Sequence, residues 1–452
     1  MSSCCDSTSI KRKALVVNPA KTCQPIGAVY AALGFEKCMP HSHGSQGCAS
    51  YLRMHLTRHF REPIITTTSS FSEGQVVFGG GANLKQSIKN IIHIYKPKMI
   101  GISTTCSAET IGDDVPGLVN DMKRAGEIPE DLYVFTASTP SYQGSHVTGW
   151  ANMVKGAVEA FAKKGEPNNK ITIIPGMMSP GDIREIKRVL KLMEVEFIML
   201  PDISGVLDSP MTGDLQLYSG KGTTVEEVGG AANAVATIVL GEETGLPAAK
   251  YLQQEFEVPY VVLPQPASIE AMDQFLMEVS KLTGKPIPAE LEEERGRLVD
   301  MMLDAHAHWY GKSVAITGDP DVALSMANLA KSLGMKVKYV LTGTRSLPWN
   351  KAIGKLVPGA EIFNGGDYYD LELALKKAPV DMIIGTSYAK YLALDYDIPL
   401  IRVGFPIMDR ANLTNFPVVG YEGIKRNVER IGNTFLEYLD RKQERHLVEL
   451  VM

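Results

Sequence analysis

The cysteines are the residues of this sequence best suited to metal or redox chemistry, and none of them follows position 106. They are Cys4, Cys5, Cys23, Cys38, Cys48 and Cys106. A chain of 452 residues can bury enough apolar surface to fold without disulfides. In a reducing compartment, clustered cysteines more often bind metals or act in redox reactions. Buried thiols also cluster by chance, so their placement alone leaves both interpretations open.

Three of these cysteines lie where a loop is predicted to lead into a helix. Cys23 stands between Pro19 and Pro25, Cys48 precedes a helix-like segment, and Cys106 follows an apolar strand segment. Backbone N–H groups and the helix dipole favour a thiolate at such a helix start. Common iron–sulfur clusters need about four thiolates. Three cysteines therefore predict a cluster that takes its other ligands from a second chain.

A zinc site is the first alternative for the same region. His41 and His43 could bind zinc together with Cys38 or Cys48, but the spacing matches no standard Cys/His finger. Packing of the histidines in a turn or in the core is the competing structural interpretation.

A glycine-rich segment, residues 78–81, precedes a predicted helix and resembles a phosphate-binding loop. Asn83, Leu84 and Lys85 follow it, in place of the Lys-Ser/Thr pair of a P-loop. A glycine turn is the prediction.

The side-chain oxygen atoms of Ser141, and those of Asp300 and Asp304, could either serve a structural role or bind a metal. Ser141 follows a predicted strand, where its hydroxyl can cap a helix or bind a metal, and the sequence favours the cap. Asp300 and Asp304 lie four residues apart, on one face of a predicted helix over 290–308. Such a pair can bind a hard cation, although it is more often simply solvated.

Short apolar segments alternate with helix-length segments along the chain, and these elements must position the candidate ligands. One predicted helix has apolar residues at helical spacing from Val322 to Leu333 and ends at Gly334. The alternation predicts an α/β fold with mostly parallel sheets flanked by helices. The predicted strands are Met99–Ser103, Leu132–Phe135, Ile171–Ile174, Glu196–Leu200, Tyr260–Leu263, Ser313–Ile316, Lys338–Leu341, Asp381–Ile384 and Leu400–Val403.

The length predicts about three domains, each a Rossmann-like unit. A polar segment rich in Lys, Gly, Pro and Asn, residues 162–169, separates the first unit from the second, and Gly311 precedes the third. The predicted domains are 1–163, which contains the cysteines, 164–310, and 311–452.

Composition argues against two classes of partner. The chain has 46 basic and 51 acidic residues, a formal charge of −5, so no broad positive field attracts nucleic acid. Its apolar runs are too short to cross a membrane. The polar segment 1–13 does not resemble a secretory signal, and we expect a cytoplasmic protein.

Several short motifs, in order over nearly the whole chain, match one known family. They are Asn18–Pro25, His43–Cys48, Arg58–Pro63, Thr104–Cys106, Gly112–Asp114, Thr139–Ser141, Gly144–Gly149, Glu294–Asp300 and Arg402–Pro406. In these motifs the chain resembles the β subunit of the molybdenum–iron protein of nitrogenase. It begins 22 residues before Cys23, as in the shorter clostridial and archaeal members.

The resemblance implies an iron–sulfur enzyme subunit. Cys23, Cys48 and Cys106 would bind the P-cluster (8Fe-7S) together with three cysteines of an α subunit, and Ser141 would join them in an oxidised state. The assembly would be an α2β2 heterotetramer that docks a homodimeric iron protein. ATP hydrolysis by that protein would gate electron delivery through the P-cluster to the iron–molybdenum cofactor of the α subunit, where N2 would be reduced to ammonia. The β chain would relay electrons and hold no catalytic residue.

The resemblance also implies two further sites. Phe78 would contact the iron protein, although its spacing also allows a core position. A mononuclear iron or calcium would lie between two β subunits, bound by Asp300 and Asp304 of one and by Glu62 and the Arg61 carbonyl of the other.

Related proteins supply the alternatives. Vanadium and iron-only β subunits share the cysteines, but Gly44–Gln46 and Val299–Met302 are more similar to the molybdenum form. A cofactor-assembly scaffold lacks the full set of P-cluster ligands, and a dark-operative protochlorophyllide reductase subunit carries a different ligand pattern. We expect Cys4 and Cys5 to be mobile and Cys38 to be structural.

Overall fold

The α/β class predicted from the sequence is confirmed by a computed structural model, which describes residues 16–211, 213, 217–411 and 413–444. Cys4 and Cys5 lie outside the described residues. Three sheets are present there, and every pairing between their strands is parallel. No helix in the described ranges is long and apolar enough to span a membrane.

The first sheet supports the cysteine-bearing segments. Its strands are β1 (Cys38–His43), β2 (Thr67–Thr68), β3 (Met99–Thr104) and β4 (Tyr133–Ala137). Their order across the sheet is β2-β1-β3-β4. The accompanying helices are α1 (Gln24–Ala32), α2 (Gln46–Phe60), α3 (Glu73–Phe78), α4 (Gly81–Tyr95), α5 (Cys106–Ile111), α6 (Val115–Arg124) and α7 (His146–Phe161). Leu84, Ile88, Ile100 and Ile102 are fully buried in one apolar cluster between the sheet and its helices.

The second sheet lies within the predicted second domain. Its strands are β5 (Ile171–Ile174), β6 (Phe197–Met199), β7 (Ala236–Leu240) and β8 (Tyr260–Leu263), in the order β6-β5-β7-β8. The helices of this segment are α8 (Pro180–Leu192), α9 (Val225–Gly230), α10 (Glu242–Phe256), α11 (Ile269–Thr283), α12 (Ala289–Asp304) and α13 (His306–Trp309). The helix predicted over 290–308 is thus divided at Ala305.

The third sheet has five strands. They are β9 (Ser313–Thr317), β10 (Lys336–Thr342), β11 (Glu361–Asn364), β12 (Met382–Gly385) and β13 (Leu400–Arg402), in the order β11-β10-β9-β12-β13. The helices that follow are α14 (Pro320–Ser332), α15 (Leu347–Leu356), α16 (Tyr368–Lys377), α17 (Lys390–Asp395) and α18 (Gly420–Lys442). Short 3-10 helices lie at Ala231–Asn233, Ser387–Ala389 and Leu413–Asn415. The predicted helix that ends before Gly334 is α14, and Gly334 itself has a φ of +73°.

The chain forms two compact units. Among the described residues, one unit contains 16–21, 301–405 and 428–444, and the other contains those between 22 and 300 and between 406 and 427. Each sheet takes all of its strands from one of the three predicted segments. The exact domain boundaries remain a prediction.

Strand β1 was not predicted, because Pro40, His41 and His43 are more typical of a loop. All six of its residues are buried. Hydrogen bonds satisfy the imidazoles: His41 Nδ1 lies 2.9 Å from Thr67 Oγ1, and the Ser69 hydroxyl oxygen lies 2.9 Å from His41 Nε2 and 2.8 Å from His43 Nδ1. A polar sequence therefore forms a buried strand because its partners come from β2 and from Ser69, the residue directly after β2.

Acid should destabilise this buried network, and His41→Asn should reduce that sensitivity. Burial lowers the pKa of His41 to about 3. Since an unfolded histidine titrates near 6.5, the neutral ring contributes stability that is present above that pH and is lost as the pH falls toward 3, by up to about 1.4 kcal/mol per pH unit. Thermal unfolding midpoints, measured between about pH 6 and about pH 4, should fall less steeply in the variant. His93→Asn changes an exposed side chain and is the control. Equal slopes for wild type and His41→Asn would contradict the prediction.

Candidate cluster-binding site

Parallel strands bring three candidate ligands to one edge of the first sheet. Cys48 follows β1, Cys106 follows β3, and Ser141 follows β4. These strands are neighbours in the sheet, in that order. Because parallel strands end at the same edge, the segments that follow them must meet there, where α/β folds build their sites.

Each of the three cysteines stands at the beginning of a helix. Cys23 is the residue that precedes α1, and Pro25 lies in the first turn of that helix. Cys48 lies in the first turn of α2, after Ser45, and Cys106 is the first residue of α5. Unpaired backbone N–H groups at these positions favour negatively charged sulfur.

The Cys23 thiol is close to two of the other candidates. Burial raises the pKa of Cys23, and the neighbouring Cys48 raises it further. Hydrogen bonds with the Ile26 N–H and the Ser141 hydroxyl oppose that rise. A bound cation would remove the cost of ionising this partly buried thiol. The structure therefore brings Cys23, Cys48 and Ser141 together in an environment suited to a metal.

Ser141 fixes the helix that begins after Cys23. Its Oγ accepts the backbone N–H of Gln24 at 3.3 Å, so the hydroxyl also has the capping role that the sequence favoured. Gln24 Nε2 donates to the Pro140 carbonyl at 2.6 Å. Gln24 is a buried polar residue that sequence analysis did not single out. Its position beside Cys23, at the start of an otherwise apolar helix, is the signal that would have identified it.

A close backbone approach joins the segments that carry Cys48 and Cys106. Thr105 donates to the His43 carbonyl through its N–H at 3.1 Å and through its hydroxyl at 3.2 Å. A Cβ atom on Gly44 would lie 1.9 Å from Thr105 Oγ1, so only glycine fits there. The Cys106 side chain is exposed, and the Ser45 hydroxyl donates to Cys48 Sγ at 3.4 Å.

The zinc alternative does not fit this geometry. The His41 and His43 ring nitrogens are occupied by the hydrogen bonds described above and by Asp113, whose Oδ2 lies 3.0 Å from His43 Nε2. Cys38 is buried on β1, and burial raises the pKa of its thiol. Over the part of the chain that the structure describes, no three His, Cys, Asp or Glu side chains converge on one metal position. A metal in either predicted site would need ligands from a second chain.

Phe78 is a surface residue. It ends α3 and its side chain is 90% exposed, next to Val76 and Val77, which are also exposed. The core alternative for Phe78 is therefore wrong.

The predicted oxygen ligands of the second metal lie on two segments. Asp300 and Asp304 are exposed on α12, one helical turn apart. Arg61 and Glu62 are exposed directly after α2, where Arg61 has a φ of +63°. The Arg61 guanidinium donates to the Met408 carbonyl at 2.7 Å.

A family model for nitrogenase component 1 type oxidoreductases matches residues 23–436. The chain belongs to this family. Among curated relatives of this nitrogenase family, the chain is 46% identical to the nitrogenase molybdenum-iron protein beta chain of Clostridium pasteurianum, over 96% of both chains. It is 41% identical to that of Azotobacter vinelandii, over 96% of this chain and 87% of the relative. The predicted resemblance to the molybdenum–iron β subunit is confirmed.

Solved nitrogenase structures agree with the fold. A chain of nitrogenase Cp1 at pH 6.5 superimposes with a TM-score of 0.96 and 45% identity, over 98% of both chains. A chain of nitrogenase Cp1 at pH 5 gives a TM-score of 0.73 at 18% identity, which shows a shared fold alone.

Proposed function

We propose that this chain is the β subunit of a cytoplasmic nitrogenase component 1. In this role it receives electrons from the ATP-hydrolysing iron protein and passes them through a P-cluster to the iron–molybdenum cofactor of an α subunit, for the reduction of N2 to ammonia. The observation that supports the proposal most is the convergence of cysteine-bearing helix starts at one sheet edge, in a chain 46% identical to a molybdenum–iron protein β chain.

The residues at this edge fit an iron–sulfur cluster. Thiolates are the usual ligands of such clusters, and Ser141 adds a hydroxyl oxygen within hydrogen-bonding distance of the Cys23 thiol. When bound, the P-cluster supplies one-electron redox chemistry. The protein would hold the cluster through thiolates at three helix starts, Cys23, Cys48 and Cys106, and Ser141 would supply an oxygen ligand.

The ligand count supports a second chain. Three cysteines cannot complete an eight-iron cluster, and Cys106 is exposed while Cys23 and Cys48 are partly exposed. We propose that three cysteines of the α subunit face these residues, in an α2β2 heterotetramer.

The alternatives have less support. The curated relatives above are molybdenum–iron protein β chains, which favours the molybdenum form over the vanadium and iron-only forms. A scaffold would not need Cys23, Cys48, Cys106 and Ser141 together.

Phe78 is the residue we propose for docking of the iron protein. An exposed aromatic side chain next to two exposed valines is a typical interface anchor, because its burial in a complex removes a large apolar surface from water.

We further propose that Asp300 and Asp304 bind iron or calcium between two β subunits, with Glu62 and the Arg61 carbonyl of the second copy. Carboxylate and carbonyl oxygens suit calcium and ferrous iron. Two exposed carboxylates one turn apart repel each other, and a shared cation would offset that repulsion.

Replacement of Cys106 by Ala should remove the P-cluster. Loss of one thiolate deletes a metal bond and weakens the contact with the α subunit. Iron content, the cluster spectrum and substrate reduction should all fall, and Cys23→Ala and Cys48→Ala should behave alike. Cys38→Ala is the matched control: it leaves a small cavity that costs about 1 kcal/mol, but iron should stay bound. Full iron content and activity in Cys106→Ala would exclude the proposal.

Phe78→Ala should weaken docking without affecting the cluster. An anchor of this kind contributes about 1–2 kcal/mol, so the iron protein concentration for half-maximal activity should rise about tenfold. Iron content should be unchanged. Leu394→Ala removes another exposed apolar side chain and is the control. An unchanged concentration dependence for Phe78→Ala would show that docking does not use this residue.

The double variant Asp300→Asn, Asp304→Asn should lose one metal per β subunit and loosen the β–β contact, while the P-cluster spectrum stays the same. Elemental analysis and the dissociation of the heterotetramer on dilution measure both effects. Glu293→Gln changes an exposed carboxylate of the same helix and should have neither effect. Equal metal content in the double variant and wild type would show that these aspartates bind no metal and only form a solvated acidic surface.

A further inference from the structure

Asp113 ties the Phe78 segment to the interior of the protein. After Phe78 the chain turns at Gly79, which has a φ of +91° and forms the predicted glycine turn. The next residue, Gly80, is buried, and its N–H donates to both carboxylate oxygens of Asp113, at 3.1 and 3.0 Å. The Asp113 carboxylate therefore holds the residue that follows this six-residue surface helix and its glycine turn.

The same carboxylate holds His43. Asp113 Oδ2 lies 3.0 Å from His43 Nε2, and the two side chains are 9% and 0% exposed. In the tautomer that donates Nε2–H to Asp113, Nδ1 accepts the Ser69 hydroxyl at 2.8 Å. Hydrogen bonds to a charged acceptor are strong where water is excluded, so the pair resists displacement.

Aromatic packing closes the space around this contact. Phe71 packs edge-on against the His43 ring, with 4.9 Å between the ring centroids. A Cβ atom on Gly80 would lie 2.0 Å from Phe71 Cζ. Gly80 is therefore packed against Phe71 and hydrogen-bonded to Asp113, so a shift of Gly80 acts on the side chains that surround His43.

His43 is also bonded to the cysteine-bearing segments. Its carbonyl accepts both hydrogen bonds from Thr105, the residue before Cys106. It is followed directly by Gly44 and Ser45, and the Ser45 hydroxyl contacts Cys48. One residue thus contacts Asp113 through its ring and the Cys106 segment through its backbone.

We propose that Asp113 and His43 are positioning residues that couple the docking segment to the cluster ligands. A displacement of α3 by the bound iron protein passes through Gly80 and Asp113 to His43, and from its backbone to the segments that carry Cys48 and Cys106. This inference rests on the proposed function. It also gives a role to Asp113, which lies in the Gly112–Asp114 motif. No residue of that motif is among the proposed cluster ligands.

Asp113→Ala in the assembled complex tests the coupling. Electron transfer at saturating iron protein should slow about tenfold, while the iron protein concentration for half-maximal rate changes less than about twofold. Iron content, and the re-reduction of the oxidised cluster by dithionite, should match wild type. The opposite pattern is expected for Phe78→Ala, in which docking is lost and the saturated rate is retained.

Two further variants distinguish a loss of coupling from a general loss of folding or assembly. Asp114→Ala removes the neighbouring carboxylate, which caps α6 by accepting the Gly117 N–H at 3.0 Å, and should leave the saturated rate unchanged. Asp113→Asn keeps an acceptor for Gly80 and should recover part of the rate. If Asp113→Ala does not assemble, His43→Gln is measured in its place, with the same expected slow rate at normal iron content.

Three results would overturn the coupling. They are a full rate for Asp113→Ala at saturating iron protein, a loss of cluster iron in proportion to the loss of rate, and an equal loss of rate in Asp114→Ala. Failure of the proposed function gives a different result, because the wild-type complex itself would then show no electron transfer from the iron protein.

Discussion

The parallel pairing of β1 with β3 is the constraint on which the candidate site depends. The register places His43 opposite Thr104, so the residues that follow the two strands begin side by side. Thr105 then donates twice to the His43 carbonyl, and Gly44 leaves the space that this approach requires. A slip in this register would separate the Cys48 segment from the Cys106 segment, whatever the chemistry of the thiols.

The contact between α1 and α7 positions Cys23, the third cysteine of the site. A Cβ atom on Gly27 would lie 1.7 Å from the His146 carbonyl oxygen, so the two helices touch through backbone. Because α7 follows the Ser141 segment, this contact holds Cys23 beside Ser141. Cys106 is exposed and Cys23 and Cys48 are partly exposed, so a partner chain can reach the three thiols. The site therefore has a rigid frame and an open face.

The sequence predicted the α/β class and most strands, because apolar alternation is a local signal. It also placed Cys48 and Cys106 at helix starts. Strand β1 was missed, since its histidines and proline are stabilised by Thr67, Ser69 and Asp113, which lie far along the chain. The same reason hid the roles of Gln24 and Asp113. Strand β7, with the sequence Ala-Thr-Ile-Val-Leu, was also missed, although its composition is typical of a strand. Contacts that depend on which strands become neighbours cannot be inferred from local patterns alone.

Iron-edge anomalous diffraction from crystals of this chain with an α subunit is the most direct test of cluster binding at this site. We expect a compact iron cluster at the carboxyl edge of the first sheet, bonded to the sulfur atoms of Cys23, Cys48 and Cys106 and completed by partner cysteines. Iron bonded elsewhere, or three thiols without iron in an active complex, would contradict it.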